Sequence, residues 1–155
     1  MTAPARPRLS ELLIAGAIQL DLQSSNKSEV LAQMVWGVHP LQDRPTLQKA
    51  FLNSVIERED RHSTEITTWL SWPHALQKFP ELQNDPFVAF GRWLNGSDRS
   101  PHLLFLPYLP DEDLFVSVMA QLGKWIHQPQ MHQTFMTAMS AEEILHAVRQ
   151  RELGV

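Results

Sequence analysis

Cysteine is absent from these 155 residues. That excludes a disulfide scaffold, thiolate-held zinc, an iron–sulfur cluster and thiol nucleophiles, and it suits a reducing compartment. No run of lysine and arginine occurs, and 13 basic against 17 acidic residues leave a net charge of −4. A phosphate-backbone binder clusters its cations, so nucleic acid is not expected as a partner. No apolar run approaches the ~20 residues that cross a bilayer, so direct membrane insertion is not expected either. The opening Met1-Thr-Ala-Pro-Ala-Arg-Pro-Arg8 has two prolines and no apolar core. It is unlike a signal peptide, and residues 1–8 are expected to be a flexible leader ahead of a single domain spanning 9–152. These absences together point to a cytoplasmic protein. The phosphate-binding and nucleophile motifs GxGxxG, GxxxxGK[ST] and GxSxG are missing, as are HExxH and an EF-hand loop. Nucleotide hydrolysis, α/β-hydrolase chemistry and zincin chemistry therefore lack support.

What is present is a chain able to fold without staples. It is 43% apolar and 19% charged, and a chain of this length buries roughly 70% of its unfolded surface. Leu9 to Ala15 predicts a short helix, and Ala17 to Leu22 alternates with period two, as a half-buried strand does. Asn26 with Glu29 makes a capping box ahead of Val30, Leu31, Met34, Val35 and Val38 at helical spacing. Asp43-Arg44-Pro45 reads as a cap and a first-turn proline. The helix it opens puts Leu47, Ala50, Phe51, Ser54 and Val55 inward and ends near Arg58-Glu59. Ile66 to Trp72 reads as a strand stopped by Pro73, and 76–86 as a loop. Phe87 to Trp93 and His102 to Leu106 read as strands flanking turn chemistry at Asn95-Gly96-Ser97-Asp98. Asp111 caps a helix carrying Phe115, Val118, Leu122 and Trp125, which Pro129 ends. A Met-rich helical stretch follows over 131–139. Ser140 to Glu143 is a capping box for a last helix with Ile144, Leu145 and Val148 inward. The order predicts an α/β fold: a single domain with one mixed β-sheet flanked by helices.

Seven histidines are candidates for chemistry: His39, His62, His74, His102, His127, His132 and His146. Without cysteine, or HxH or HxxH spacing, no metal is expected. His127 sits where a cation suits a helix C-terminus, and His132 and His146 ride on helices. His74 stands apart by its address, directly after Pro73 at the carboxyl end of a predicted strand, where α/β sheets place ligands. Upstream runs Arg58-Glu59-Asp60-Arg61-His62-Ser63-Thr64. A nucleophilic imidazole needs one ring nitrogen held and the other free, and an arginine nearby balances the oxygens of a transferring phosphoryl group. The bland alternative is a solvated helix end, a turn and a strand terminus.

Arg-Glu-x-x-x-Ser-Thr, eight residues and then Pro-His resemble the signature of type-2 enzyme IIA proteins of the phosphoenolpyruvate-dependent phosphotransferase system, the fructose/mannitol class with its nitrogen-regulatory branch. The strand Ile18-Gln-Leu-Asp-Leu22, Lys27-Ser-Glu-Val-Leu31, Leu103-Leu-Phe105 and Ser140-Ala-Glu-Glu-Ile144 are similar in order and spacing. The resemblance implies that His74 is the phosphorylated residue and that Arg58 is the signature arginine ending a helix. Ser63 and Thr64 would help to bind the phosphoryl group. It implies no cofactor. Its partners would be an HPr-like phosphocarrier and an enzyme IIB, or a regulated transporter or kinase. A chain without fused IIB or membrane segments leads to the expectation of the nitrogen-regulatory type.

Three departures from the pattern matter. Glu65, Thr67 and Trp69 stand where the family has glycines, so a reshaped loop is expected. Asp113 or Leu114 falls where the family carries a second histidine. Pro107 is expected to interrupt the last strand. A carboxylate about 4 Å from a phosphoryl oxygen repels it by roughly 4 kcal/mol at an effective dielectric near 20. Asp113 would therefore either oppose phosphorylation of His74 or, by accepting its Nδ1–H, orient the ring. Two readings stay open: a phosphocarrier, and a degenerate enzyme IIA-like regulatory module that docks partners without transferring phosphate. For the second, Trp69, Trp72 and Trp93 are candidate anchors, with core packing the plainer role of each.

Overall fold

Two neighbouring strands, β4 (Phe87–Trp93) and β5 (His102–Tyr108), read as nearly unbroken apolar runs because both of their faces are covered. In this computed structural model, which describes residues 6–94 and 101–154, alternate side chains enter two different cores. Val88, Phe90, Leu103 and Phe105 point to one, and Phe87, Ala89, Leu104, Leu106 and Tyr108 to the other. The first core is closed by α1 (Leu9–Gly16), α4 (Glu112–Ile126), α5 (Pro129–Thr137) and α6 (Ala141–Glu152). The second is closed by α2 (Lys27–Gly37) and α3 (Pro45–Arg61), with Phe79 and Leu82 from the segment after His74. The result is a three-layer α/β sandwich, as the sequence predicts. Residues 1–5 of the expected leader and the expected turn at 95–98 lie outside the described residues.

The sheet is mixed, with strand order β1-β4-β5-β3-β2, where β1 is Ile18–Leu22, β2 Glu65–Thr67 and β3 Leu70–Ser71. β1 runs parallel to β4, β4 antiparallel to β5, β5 parallel to β3, and β3 antiparallel to β2. The expected single strand over Ile66–Trp72 is in fact this short β2–β3 pair, turned at Thr68-Trp69. Residues 65, 67 and 69 need no left-handed backbone, since the non-glycine residues with positive φ among the described residues are Ala17 and Asp43. Residues 65–67 are ordinary extended backbone, and 68–69 form the turn to β3.

Several local expectations shift, each for a physical reason. β5 continues through Pro107, which pairs with Val88. The Leu103 N–H donates away from β4, to the Trp69 carbonyl. By alternation the missing Pro107 N–H also falls on that side, beyond the two residues of β3, so no ladder bond is lost. Asp43 takes φ 60° and the unbonded N-cap of α3 is Arg44. Ala50 and Phe115 are exposed, while Phe51, Ser54 and Val55 on α3 and Val118, Leu122 and Trp125 on α4 are buried as expected. Pro129, expected only to end α4, opens α5. Gly16 lets α1 lie on the sheet: a Cβ there would meet the Val88 carbonyl oxygen at 2.2 Å.

Candidate functional site

The C-terminal end of α3 and the segment that follows β3 are tied together at two points. At one end, the Trp72 N–H donates to the Thr64 carbonyl at 3.1 Å, just past the end of α3. At the other, Ser54 Oγ accepts the Leu76 and Gln77 N–H groups at 2.8 and 3.3 Å. The stretch from 72 to 77 therefore runs back along the last turns of the helix. His74 lies between the two anchors on the loop. Arg58, one turn beyond Ser54 on the same helix face, lies between them on the helix. Ser54 was legible as an inward residue of α3; its role as anchor was not.

His74 is half-buried. Its Nδ1 bonds the Trp72 carbonyl at 3.0 Å. A carbonyl only accepts, so Nδ1 carries a proton, and in the neutral ring Nε2 keeps its lone pair. Arg58 is also half-buried, and its Nη1 donates to the His62 carbonyl at 2.8 Å, closing the helix end. Ser63 is exposed at the turn, where its Oγ accepts the Glu65 N–H at 3.1 Å. Thr64 is buried and its hydroxyl is already committed, donating to Glu59 Oε2 at 2.6 Å while its N–H reaches Glu59 Oε1 at 3.2 Å.

Glu59 is the residue that sequence reasoning left as a solvated helix end, and it is the hub of a network. Lys27 Nζ sits 2.6 Å from Oε1, with the two side chains only 26% and 11% exposed. Lys27 also reaches Ser71 Oγ at 3.3 Å, and Ser71 Oγ lies 2.8 Å from His102 Nε2. His102 Nδ1 faces the Thr68 carbonyl at 3.2 Å. Burial pushes the Glu59 carboxyl up, but the Lys27 ammonium and the Thr64 donors outweigh it and hold it below the usual carboxylate range. Burial pulls the His102 imidazole below its usual range, with the Lys27 charge pulling the same way. Spacing along the chain hides this cluster, because its members come from α2, α3, β3 and β5; a serine inside the apolar strand at 71 is its one local sign.

Asp113 does not take the ring-orienting role. It is 82% exposed, 3.7 Å from Arg6, and its backbone N–H is capped by Asp111 at 3.2 Å. The Trp72 carbonyl, not Asp113, holds His74 Nδ1, and Leu114 is core. The three tryptophans mostly pack. Trp69 stands edge-on to His132 with ring centroids 4.5 Å apart, and Trp72 tilts on Phe105 at 6.1 Å. The Trp93 indole N–H donates to the Ser24 carbonyl at 2.9 Å. Downstream of His74 an open groove of about 700 Å³ runs between the first turns of α3 and residues 77–81, flanked by Arg44 and Lys78. Among the described residues no cluster of three or more His, Asp or Glu side chains is placed to hold a metal ion, and no helix is long and apolar enough to cross a membrane.

Known proteins share this architecture. Residues 11–151 match the family model "Phosphoenolpyruvate-dependent sugar phosphotransferase system, EIIA 2". The chain is 26% identical over 156 residues to the PTS system fructose-specific EIIABC component of Bacillus subtilis (strain 168). That alignment covers 94% of this chain but spans only about a quarter (24%) of the relative's length. The crystal structure of nitrogen regulatory protein IIA-Ntr from Neisseria meningitidis superposes with a TM-score of 0.69 at 21% identity, covering 90% of this chain and 97% of that one. The complex of enzyme IIAMTL and phosphorylated enzyme IIBMTL from Escherichia coli gives 0.60 at 14% identity, covering 88% and 96%. With the family model spanning nearly the whole described chain, this protein belongs to the type-2 EIIA family of the phosphoenolpyruvate-dependent sugar phosphotransferase system, a family of phosphocarrier domains.

Proposed function

We propose that this chain accepts a phosphoryl group on Nε2 of His74 from the phosphohistidine of an HPr-like carrier. The observation that carries the reading is the tautomer: Nδ1–H is pinned on the Trp72 carbonyl, leaving the Nε2 lone pair as the nucleophile. As Nε2 forms its bond to phosphorus, the nitrogen–phosphorus bond on the carrier breaks and that carrier's imidazole leaves with the electron pair. Arg58 balances the phosphoryl oxygens, since it shares the bracketed stretch with His74. Ser63, the exposed hydroxyl of the adjoining turn, adds a hydrogen bond, and Thr64 contributes through Glu59 by holding the turn. Such transfers rest on positioning and electrostatics more than on covalent help from the protein. Leu76 and Phe115, exposed apolar side chains near the loop and the start of α4, offer contact area to the carrier.

The group then passes to a cysteine of an enzyme IIB, or stays as a regulatory mark. We favour the nitrogen-regulatory type: Glu65, Thr67 and Trp69 stand where the family pattern has glycines, the first exposed and the other two half-exposed, and they change which partner can approach the rim. The test is incubation with phosphoenolpyruvate, enzyme I and the carrier, followed by assay for acid-labile, base-stable phosphate. One equivalent is expected on the wild type and none on His74→Ala, with Arg58→Ala slower by about a hundredfold. Equal label on His74→Ala would sink the proposal. An unlabelled wild type that still binds its partner would instead favour a docking module that no longer transfers phosphate, the reading for which the exposed Asp113 in place of a second histidine speaks.

A further inference from the structure

Ser71 is fully buried, at 0% exposure, inside the two-residue strand β3, from which the His74 loop hangs. Its hydroxyl has one proton and two neighbours within hydrogen-bond distance. Lys27 Nζ, at 3.3 Å, only donates. The Ser71 proton must therefore go to His102 Nε2 at 2.8 Å, which makes His102 the Nδ1–H tautomer, and that N–H faces the Thr68 carbonyl at 3.2 Å. Every donor and acceptor is then matched. A second proton on His102 breaks the match. Nε2–H would point at Ser71 Oγ, the buried Ser71 O–H would lose its acceptor, and two cations would converge on one oxygen.

The next residue along, Trp72, supplies the carbonyl that fixes the tautomer of His74. The ring of His102 is only half-buried, so solvent protons reach it. We propose that His102 is a positioning residue that acts through Ser71: its neutral ring locks β3, and with it the carbonyl that aims His74, and the lock opens when His102 takes up a proton. This regulates the same site and rests on the reading of His74 as phosphoryl acceptor. Among the described residues, the groups that face His102 from neighbouring elements are Lys27 on α2, Glu59 on α3 and Glu65 on β2, with the edge-on Trp93 ring on β4. Lys27 opposes protonation, as does burial of the ring, and the two carboxylates favour it, so the lock holds at neutral pH and yields in acid.

The test uses the full chain with ¹⁵N-labelled histidine, followed from about pH 8 to about pH 5 by imidazole NMR and amide hydrogen exchange. The informative amides are those of Trp72 and Leu103, which bond the Thr64 and Trp69 carbonyls on either side of β3. We expect His102 as the Nδ1–H tautomer, protonating below the ordinary imidazole range. Exchange at both amides, corrected for its intrinsic pH trend, should rise about tenfold in step with that protonation. His102→Gln keeps an acceptor for Ser71 and does not titrate, so it should show the wild-type protection at neutral pH and no acid step. Ser71→Ala should lose the coupling between His102 protonation and exchange. The acid-side fall of His74 phosphorylation should have one proton step fewer in His102→Gln than in the wild type. An Nε2–H tautomer, or an acid step that persists in His102→Gln, would overturn the proposal. If wild-type His74 takes no phosphate at any pH, the phosphocarrier reading falls by itself, while the tautomer and the exchange still decide whether the lock exists.

Discussion

The centre of the sheet and its edge are built on different principles. β4 and β5 are paired over seven residues each, and most side chains along them enter one of two apolar cores. β2 and β3 together have five residues, and β3 touches β5 over only two. Beyond the packing of Leu70 and the flanking tryptophans, that edge is tied by side-chain hydrogen bonds: Lys27 to Glu59, Glu59 to Thr64, Ser71 to His102, and Ser54 to the loop beyond. The contrast teaches where a phosphoryl-accepting histidine can sit. It needs a fixed backbone but an open ring nitrogen, and apolar burial gives the first only by removing the second. Polar anchors supply both, with a local stability that is lower and open to adjustment.

The largest expected break in the comparison is at the centre. Phe105 is fully buried and its ring meets those of Phe90, Phe135 and Trp72. Phe105→Ala should lose about 3–5 kcal/mol by urea unfolding. The edge gives a smaller but more selective effect. Lys27→Ala strands the Glu59 carboxylate, and it should lose about 3 kcal/mol, short of the top of the range because Lys27 keeps some water. Amide exchange in residues 64–72 should rise more than in β4. Uniform loss across the sheet would show that the edge has no separate support.

How much of this was legible along the chain follows the same division. The helices and both central strands announce themselves through period and caps, because burial on a face repeats at fixed intervals. Asn26 and Ser140 cap as expected, each accepting from the backbone N–H three residues on. His74 and Arg58 were visible as a signature with an address. Lys27, Glu59, Ser71 and His102 were not read as a unit, since hydrogen bonds between side chains from four elements leave no periodic trace. The turn at Thr68-Trp69 was missed because Ile66 to Trp72 has β-forming composition throughout, and tertiary pairing decided where it bends.

Removing the outer anchor should have a smaller effect again. Ser54→Ala leaves the Leu76 and Gln77 N–H groups without their acceptor. Both residues are exposed enough to find water, so stability should fall by about 1 kcal/mol. His74 phosphorylation should slow by more than the stability change accounts for; an unchanged rate would mean that the anchor does not position the loop. Acid separates the two regions more gently. The folded chain holds His102 below its ordinary 6.5, by burial first. As pH falls beneath about 6.5 the unfolded chain takes a proton that the folded one resists, and stability declines until the folded ring itself protonates. Glu59, held below its ordinary 4.5, starts a second decline near that pH. The urea midpoint of His102→Gln should lack the first decline, and one that matched the wild type throughout would remove His102 from the account.

The smallest effect is expected from a neighbour of the hub on the same helix end. Glu57 and Arg61 form an ion pair at 2.9 Å, one turn apart, with side chains 56% and 60% exposed. Like Lys27 with Glu59, it sets a basic side chain against a glutamate within hydrogen-bond distance. The difference is water: both charges of the outer pair stay solvated, so the Coulomb gain is screened and side-chain freedom is lost in making it. A double-mutant cycle on Glu57 and Arg61 should return a coupling of about 0.3–0.5 kcal/mol, fading in salt. The same cycle on Lys27 and Glu59 should return several times more and resist salt. Equal couplings would show that burial does not distinguish the two pairs, and that the edge of the sheet is held by something other than its polar network.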